Sequence, residues 1–83
     1  MDIETLEENA LYYLQNEPGE WEDVVRVLSK NRNEATLKTL YILHNGEMTR
    51  VHSDHVWKIT RERKVNMRYI GKGDLEDYPE YLI

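Results

Sequence analysis

The stretch Ser29–Gly46, "SKNRNEATLKTLYILHNG", decides how the rest of the chain is read. Leu37, Leu40, Tyr41 and His44 recur at the three- and four-residue spacing of one helix face. Asn33 is placed to cap that helix, with Thr36 three residues on. Asn45-Gly46 stops it, because Gly46 can adopt the left-handed conformation that closes helices. The spacing predicts a short turn followed by a helix over 33–44.

Upstream, "EPGEW" (17–21) sets a large apolar ring directly after a helix-breaking Pro-Gly pair. Trp21 is expected to open a second helix, "EWEDVVRVLSKN", whose apolar face holds Trp21, Val24 or Val25, and Leu28. Before the break, "DIETLEENALYYLQN" predicts a first helix. Ile3, Leu6, Ala10, Tyr13 and Leu14 form its stripe, and acids crowd its first turn.

Downstream, "EMTRVHSDHVWKIT" changes the hydrophobic period from 3.6 to 2. With Ser53-Asp54 at the tip of a hairpin, Val51 faces Val56, Met48 faces Ile59, and Arg50 faces Trp57 as a cation–π pair. The competing reading is a helix capped by Ser53 and running "DHVWKITRERKV". Val65, Met67 and Tyr69 alternate, which suggests a third strand, and "GKGD" is a turn signal. The tail "LEDYPEYLI" is apolar and aromatic, so it is expected to pack on the domain or meet a partner.

Eighty-three residues fit one domain, taken as 1–83. There is no cysteine, hence no disulfide framework. No apolar run approaches the roughly 20 residues of a membrane span, and the acidic N-terminus is unlike a signal peptide. The cytoplasm is the expected location, and no membrane partner is expected. The net charge of −5 is unevenly distributed. Residues 1–25 carry −8 with no Lys or Arg, residues 26–72 carry +7 with all eleven, and residues 73–83 carry −4. Such blocks either neutralise one another in the fold or leave a basic surface for an anionic partner.

The order helix, "PGEW" turn, helix, short turn, helix, Gly stop, hairpin resembles the winged helix-turn-helix family. The resemblance is carried by "LYYLQNEPGEWEDVVRVL", "NRNEATLKTLYILHNGE" and "MTRVHSDHVWKIT" and covers residues 3–60. It implies an α+β fold of three helices plus a β-hairpin wing, with 61–83 as an extension outside the family core. It also implies a small DNA-binding transcription regulator. Helix 33–44 would enter the major groove with Arg32, Asn33, Thr36, Lys38 and Thr39. The basic wing 48–60 would rest on phosphates through Arg50, His52, His55 and Lys58, extended by Arg61, Arg63 and Lys64. Many such proteins pair as homodimers, here through helix one and the tail.

Glu34, Ile42 and Leu43 depart from a DNA reader's pattern. They suit the alternative, a protein-interaction module of the kind small phage or plasmid proteins use to modify a host complex. Its interface would use Ile42, Leu43, Tyr78 and Tyr81. Two His and an Asp at 52–55 lack a third strong ligand, so the polar hairpin tip is preferred to a metal site. No phosphate loop, Cys nucleophile or base-and-orienter arrangement is present, so neither catalysis nor a cofactor is expected.

Overall fold

Tyr12-Tyr13, Val24-Val25-Arg26-Val27 and Thr39-Leu40-Tyr41-Ile42 are rich in β-branched and aromatic side chains, which fit a pleated, half-buried surface. In the computed structural model, which describes residues 2–15, 22–52 and 54–81, these segments are strands. The strands are β1 (Leu11–Gln15), β2 (Glu22–Lys30), β3 (Glu34–His44), β4 (Glu47–Arg50), β5 (Val56–Thr60) and β6 (Asn66–Gly71). The helical parts of the described residues are three short 3-10 turns, Ile3–Thr5, Leu75–Asp77 and Pro79–Tyr81.

The expected α+β fold with three helices and a wing is therefore corrected to one antiparallel sheet. Its order is β4-β3-β2-β1-β6, and β5 also pairs with β3. The long strand β3 pairs with β5 through Glu34–Lys38 and with β4 through Tyr41–His44, along the same edge. Between those stretches, the Thr39 N–H donates to the His55 carbonyl and the Val51 N–H to the Leu40 carbonyl. Thus β4 and β5 lie end to end on β3, with backbone bonds to it at Val51 and again at His55. The expected hairpin, with Arg50 opposite Trp57, is not formed. Arg50 lies opposite Tyr41, and Trp57 opposite Leu37.

The misread helix has a specific cause. Val24 pairs with Tyr41 and Val25 with Thr39, so Leu40 is an extra residue in β3. Ala35, Leu37 and Thr39 alternate onto one face, then the bulge sends Leu40 and Tyr41 to the other. The spacing 37, 40, 41 imitates a helix but arises from an interrupted strand. A second irregularity at Leu28 does the same in β2, where Val25 and Val27, and not Leu28, are buried.

The first predicted helix fails for a similar reason. Ile3, Leu6, Ala10 and Leu14 do share one core, but a 3-10 turn and a turn at Asn9, with φ of +66°, bring the first three there, and Leu14 reaches it from β1. The "EPGEW" turn lies outside the described residues apart from its neighbour Glu22, which already starts β2.

The turns follow from local chemistry. Asn31, and not Asn33, is the capping side chain. Its Oδ1 accepts from the N–H groups of Asn33 and Glu34 at 2.8 and 3.0 Å, closing the β2–β3 hairpin. Asn45-Gly46 joins β3 to β4 with φ of +52° and +77°, the two left-handed residues of a tight hairpin turn.

Residues 61–65 carry the chain from β5 on one edge to β6 on the other. A flat sheet of that order would hold the edges about 19 Å apart. Instead the sheet curls. Trp57, Val65 and Met67 pack on one inner core with Tyr12, Leu14, Val25, Val27, Leu37 and Ile59, and Ile3 and Leu6 join the same cluster. The outer face carries a second cluster of Leu11, Val24, Ile70 and Leu75, with Leu40, Tyr41 and Tyr78 against it. At Gly71 a Cβ would meet the Tyr78 phenol, so glycine lets the C-terminal segment lie close on the sheet.

Candidate interaction groove

Among the described residues, the C-terminal segment covers only part of the outer face. Between it and Val51, His52 and Asp54 runs a groove of about 650 Å³. Leu28, Leu40 and Tyr41 contribute to its floor from β2 and β3. Asp74, Leu75 and Glu76 line one side, and Val51, His52 and Asp54 line the other.

Cations from the strands meet acids from these sides. Arg26 lies 3.2 Å from Asp74, Lys38 is 3.3 Å from Asp54, and Arg50 is 3.9 Å from Glu76. The Tyr41 hydroxyl donates to Glu76 at 3.2 Å, and the Arg50 guanidinium sits over the Tyr41 ring. Partial burial, then the Glu76 carboxylate, raise the Tyr41 pKa above its ordinary value. Arg26 differs from the other two cations. Its Nη1 donates to the carbonyls of Asn9 and Lys72, and its Nη2 to the carbonyl of Gly73 and to Asp74. It clamps the chain entering β1 to the chain leaving β6.

The residues expected to read DNA are scattered by the fold. Lys38, Arg50 and His52 come together in the groove. Thr36 and Lys58 lie further along the outer face, where Lys58 is 3.3 Å from Glu34. Arg32 and Asn33 sit in the β2–β3 turn. Arg32 and Arg61 border a separate hollow with Asp2 and Glu4. Thr39 is buried, and its hydroxyl accepts from Trp57 Nε1 at 2.8 Å, which removes it from any recognition surface. Arg63 stacks over Trp57 at 5.4 Å, and Lys64 is exposed in the link to β6.

Of the proposed protein-contact residues, Ile42 and Leu43 are half-buried in β3, and Tyr78 seals the outer cluster. Tyr81 ends the last 3-10 turn, and its side chain lies outside the described residues. Among the described residues, no three His, Asp or Glu side chains gather as metal ligands, and no helix is long and apolar enough to cross a membrane. Sequence reasoning missed Arg26, Leu28, Leu40, Asp54, Asp74 and Glu76. The available signal was the charge order, since Arg26 and Arg50 of the basic middle pair across this groove with Asp74 and Glu76 of the acidic C-terminal block.

Two further charged spots flank the sheet. A smaller hollow beside β1 and β6 is lined by Tyr13, Gln15, Glu22 and Arg68. There burial first, then the hydrogen bond to Glu22, push the Tyr13 hydroxyl up to about 12. Asp23 is half-buried in β2, opposite Leu14 and Ile42. Desolvation raises its pKa above 3.8, against the smaller opposing pull of His55 and Arg63. Its folded-state pKa thus exceeds its unfolded one. The associated stability is present at low pH and is lost as pH rises through the folded value. Asp23→Asn is expected to melt higher than the parent at pH 7, by a few degrees, with the gap closing near pH 3.5. Thermal melts of both proteins at the two pH values check this, and a gap that widens on acidification would contradict it.

Comparison with family models, with curated proteins and with solved structures finds no match to this chain.

Proposed function

We propose that this chain is a small protein-interaction module that presents the outer face of its curled sheet to a partner. The observation that carries this reading is the interleaving of charge. Arg26, Lys38, Arg50 and Lys58 each lie within 3.2–3.9 Å of a carboxylate. A duplex binder needs a run of cations free to replace the counterions along phosphates. Here each of those cations has an acidic neighbour from its own chain, and the segment expected to enter the major groove is a strand. An alternating, partly apolar surface matches the mixed chemistry of protein interfaces. The groove carboxylates Asp54, Asp74 and Glu76 are exposed and ion-paired with cations of the same chain.

Fluorescence anisotropy with a labelled generic DNA duplex tests the reading. No saturable binding is expected at low salt. Binding that is tight at low salt and falls steeply as salt rises would overturn it.

A further inference from the structure

We infer that the groove between the C-terminal segment and the side formed by Val51, His52 and Asp54 receives a basic, extended peptide segment of the partner. The inference rests on the interaction-module reading. It goes further by naming the surface and the chemistry of what fills it.

Three observations select a basic occupant over an acidic one. First, in two of the three groove pairs the acid stands outermost. The side chains of Asp54 and Asp74 are 91% and 80% exposed, whereas those of their partners Lys38 and Arg26 are 36% and 20% exposed. In the third pair Arg50 and Glu76 are about equally exposed, so at Asp54 and Asp74 a guest approaching from solvent meets a carboxylate before its cation. Secondly, the most buried of the three cations, Arg26, has its donors already engaged. Arg26 spends its two terminal nitrogens on three carbonyls and Asp74. Lys38 lies under Asp54, and Arg50 is held by Glu76 and the Tyr41 ring. A carboxylate has about four acceptor sites, so one ion pair leaves it able to accept further N–H donors from a guest. Thirdly, the chain carries a net charge of −5, which raises the local concentration of basic partners and repels acidic ones.

The floor suits the same guest. Leu28 is one of the few large apolar side chains left exposed among the described residues, and Leu40 also lines the groove. The aliphatic stems of lysine or arginine can cover Leu28 and Leu40 while their charged heads reach Asp54 on one side and Glu76 on the other.

The test uses the full chain and a fluorescein-labelled short peptide of alternating lysine and alanine, with a glutamate-for-lysine counterpart. Anisotropy gives affinity, and amide chemical-shift mapping gives the place. Saturable binding of the lysine peptide is expected, with shifts concentrated at Leu28, Leu40, Asp54 and Glu76. The double variant Asp54→Asn, Glu76→Gln should lose at least about ten-fold in affinity. Glu8→Gln, at an exposed acid absent from the groove, should bind like the parent.

Equal or tighter binding of the glutamate peptide would overturn the inference, as would shifts that avoid the groove or full affinity in the double variant. If neither peptide binds, the basic-peptide assignment is overturned, and the interaction-module reading is judged separately by the DNA titration. Salt-steep DNA binding without peptide binding would remove both.

Discussion

Leu37→Ala is expected to destabilise the domain by about 3–4 kcal/mol. Leu37 is fully buried at the middle of β3, where β2 presents Val27 on one side and β5 presents Trp57 on the other. Its side chain therefore touches the inner core from the strand that pairs with β2, β4 and β5. Truncation removes buried methyl groups and leaves a cavity that a curled sheet cannot easily collapse, because the neighbours are held by ladders on both sides. A domain of this size is stable by roughly 4–12 kcal/mol, so the loss is a large share of the total. Urea unfolding followed by far-ultraviolet circular dichroism should show a much lower midpoint with an unchanged slope. A loss below about 1 kcal/mol would show that Leu37 is not a core residue.

Arg26→Ala is expected to cost about 2–4 kcal/mol through a different mechanism. The lost groups are donors and not hydrophobic volume. Asn9, Lys72 and Gly73 each lose a partner for a backbone carbonyl, and Asp74 loses its ion pair. The damage should be local as well as global, because the clamp holds the segment that carries Leu75 and Tyr78 onto the outer cluster. Amide exchange at residues 72–78 should accelerate more than exchange in β2 and β3. Arg26→Lys should recover only a minor part, since one ammonium cannot reproduce a planar fork that reaches four acceptors. Full recovery by lysine would reduce Arg26 to a simple charge.

These two residues mark what could and could not be read before the fold was known. Leu37 is apolar in any reading, and both a helix face and a strand face would bury it. The difference lay in its neighbours. A helix exposes Thr39, whereas the strand buries it beneath Trp57. The spacing of Leu37, Leu40 and Tyr41 could not separate the two, because one bulged residue turns a period of 2 into an apparent period of 3–4. Asn45-Gly46 is the stronger clue, since two successive residues that tolerate positive φ serve a hairpin better than a helix end. Arg26 carried no clue at all. Its acceptors are a carbonyl 17 residues upstream and groups 46–48 residues downstream. No local pattern encodes that meeting.

Composition and order alone established a short cysteine-free chain, its separated blocks of charge, some core side chains such as Ile3, Leu6, Ala10, Leu14 and Leu37, and sites where the backbone can reverse. Those properties belong to individual residues and their immediate neighbours. Whether the apolar stripes became helices or strands was settled by pairing between distant segments, because a strand satisfies its backbone hydrogen bonds only through another strand. Whether the central cations formed a free basic face or a neutralised groove was settled the same way. Charge acts through space, and the curled sheet folded the two acidic ends of the chain back over its basic middle.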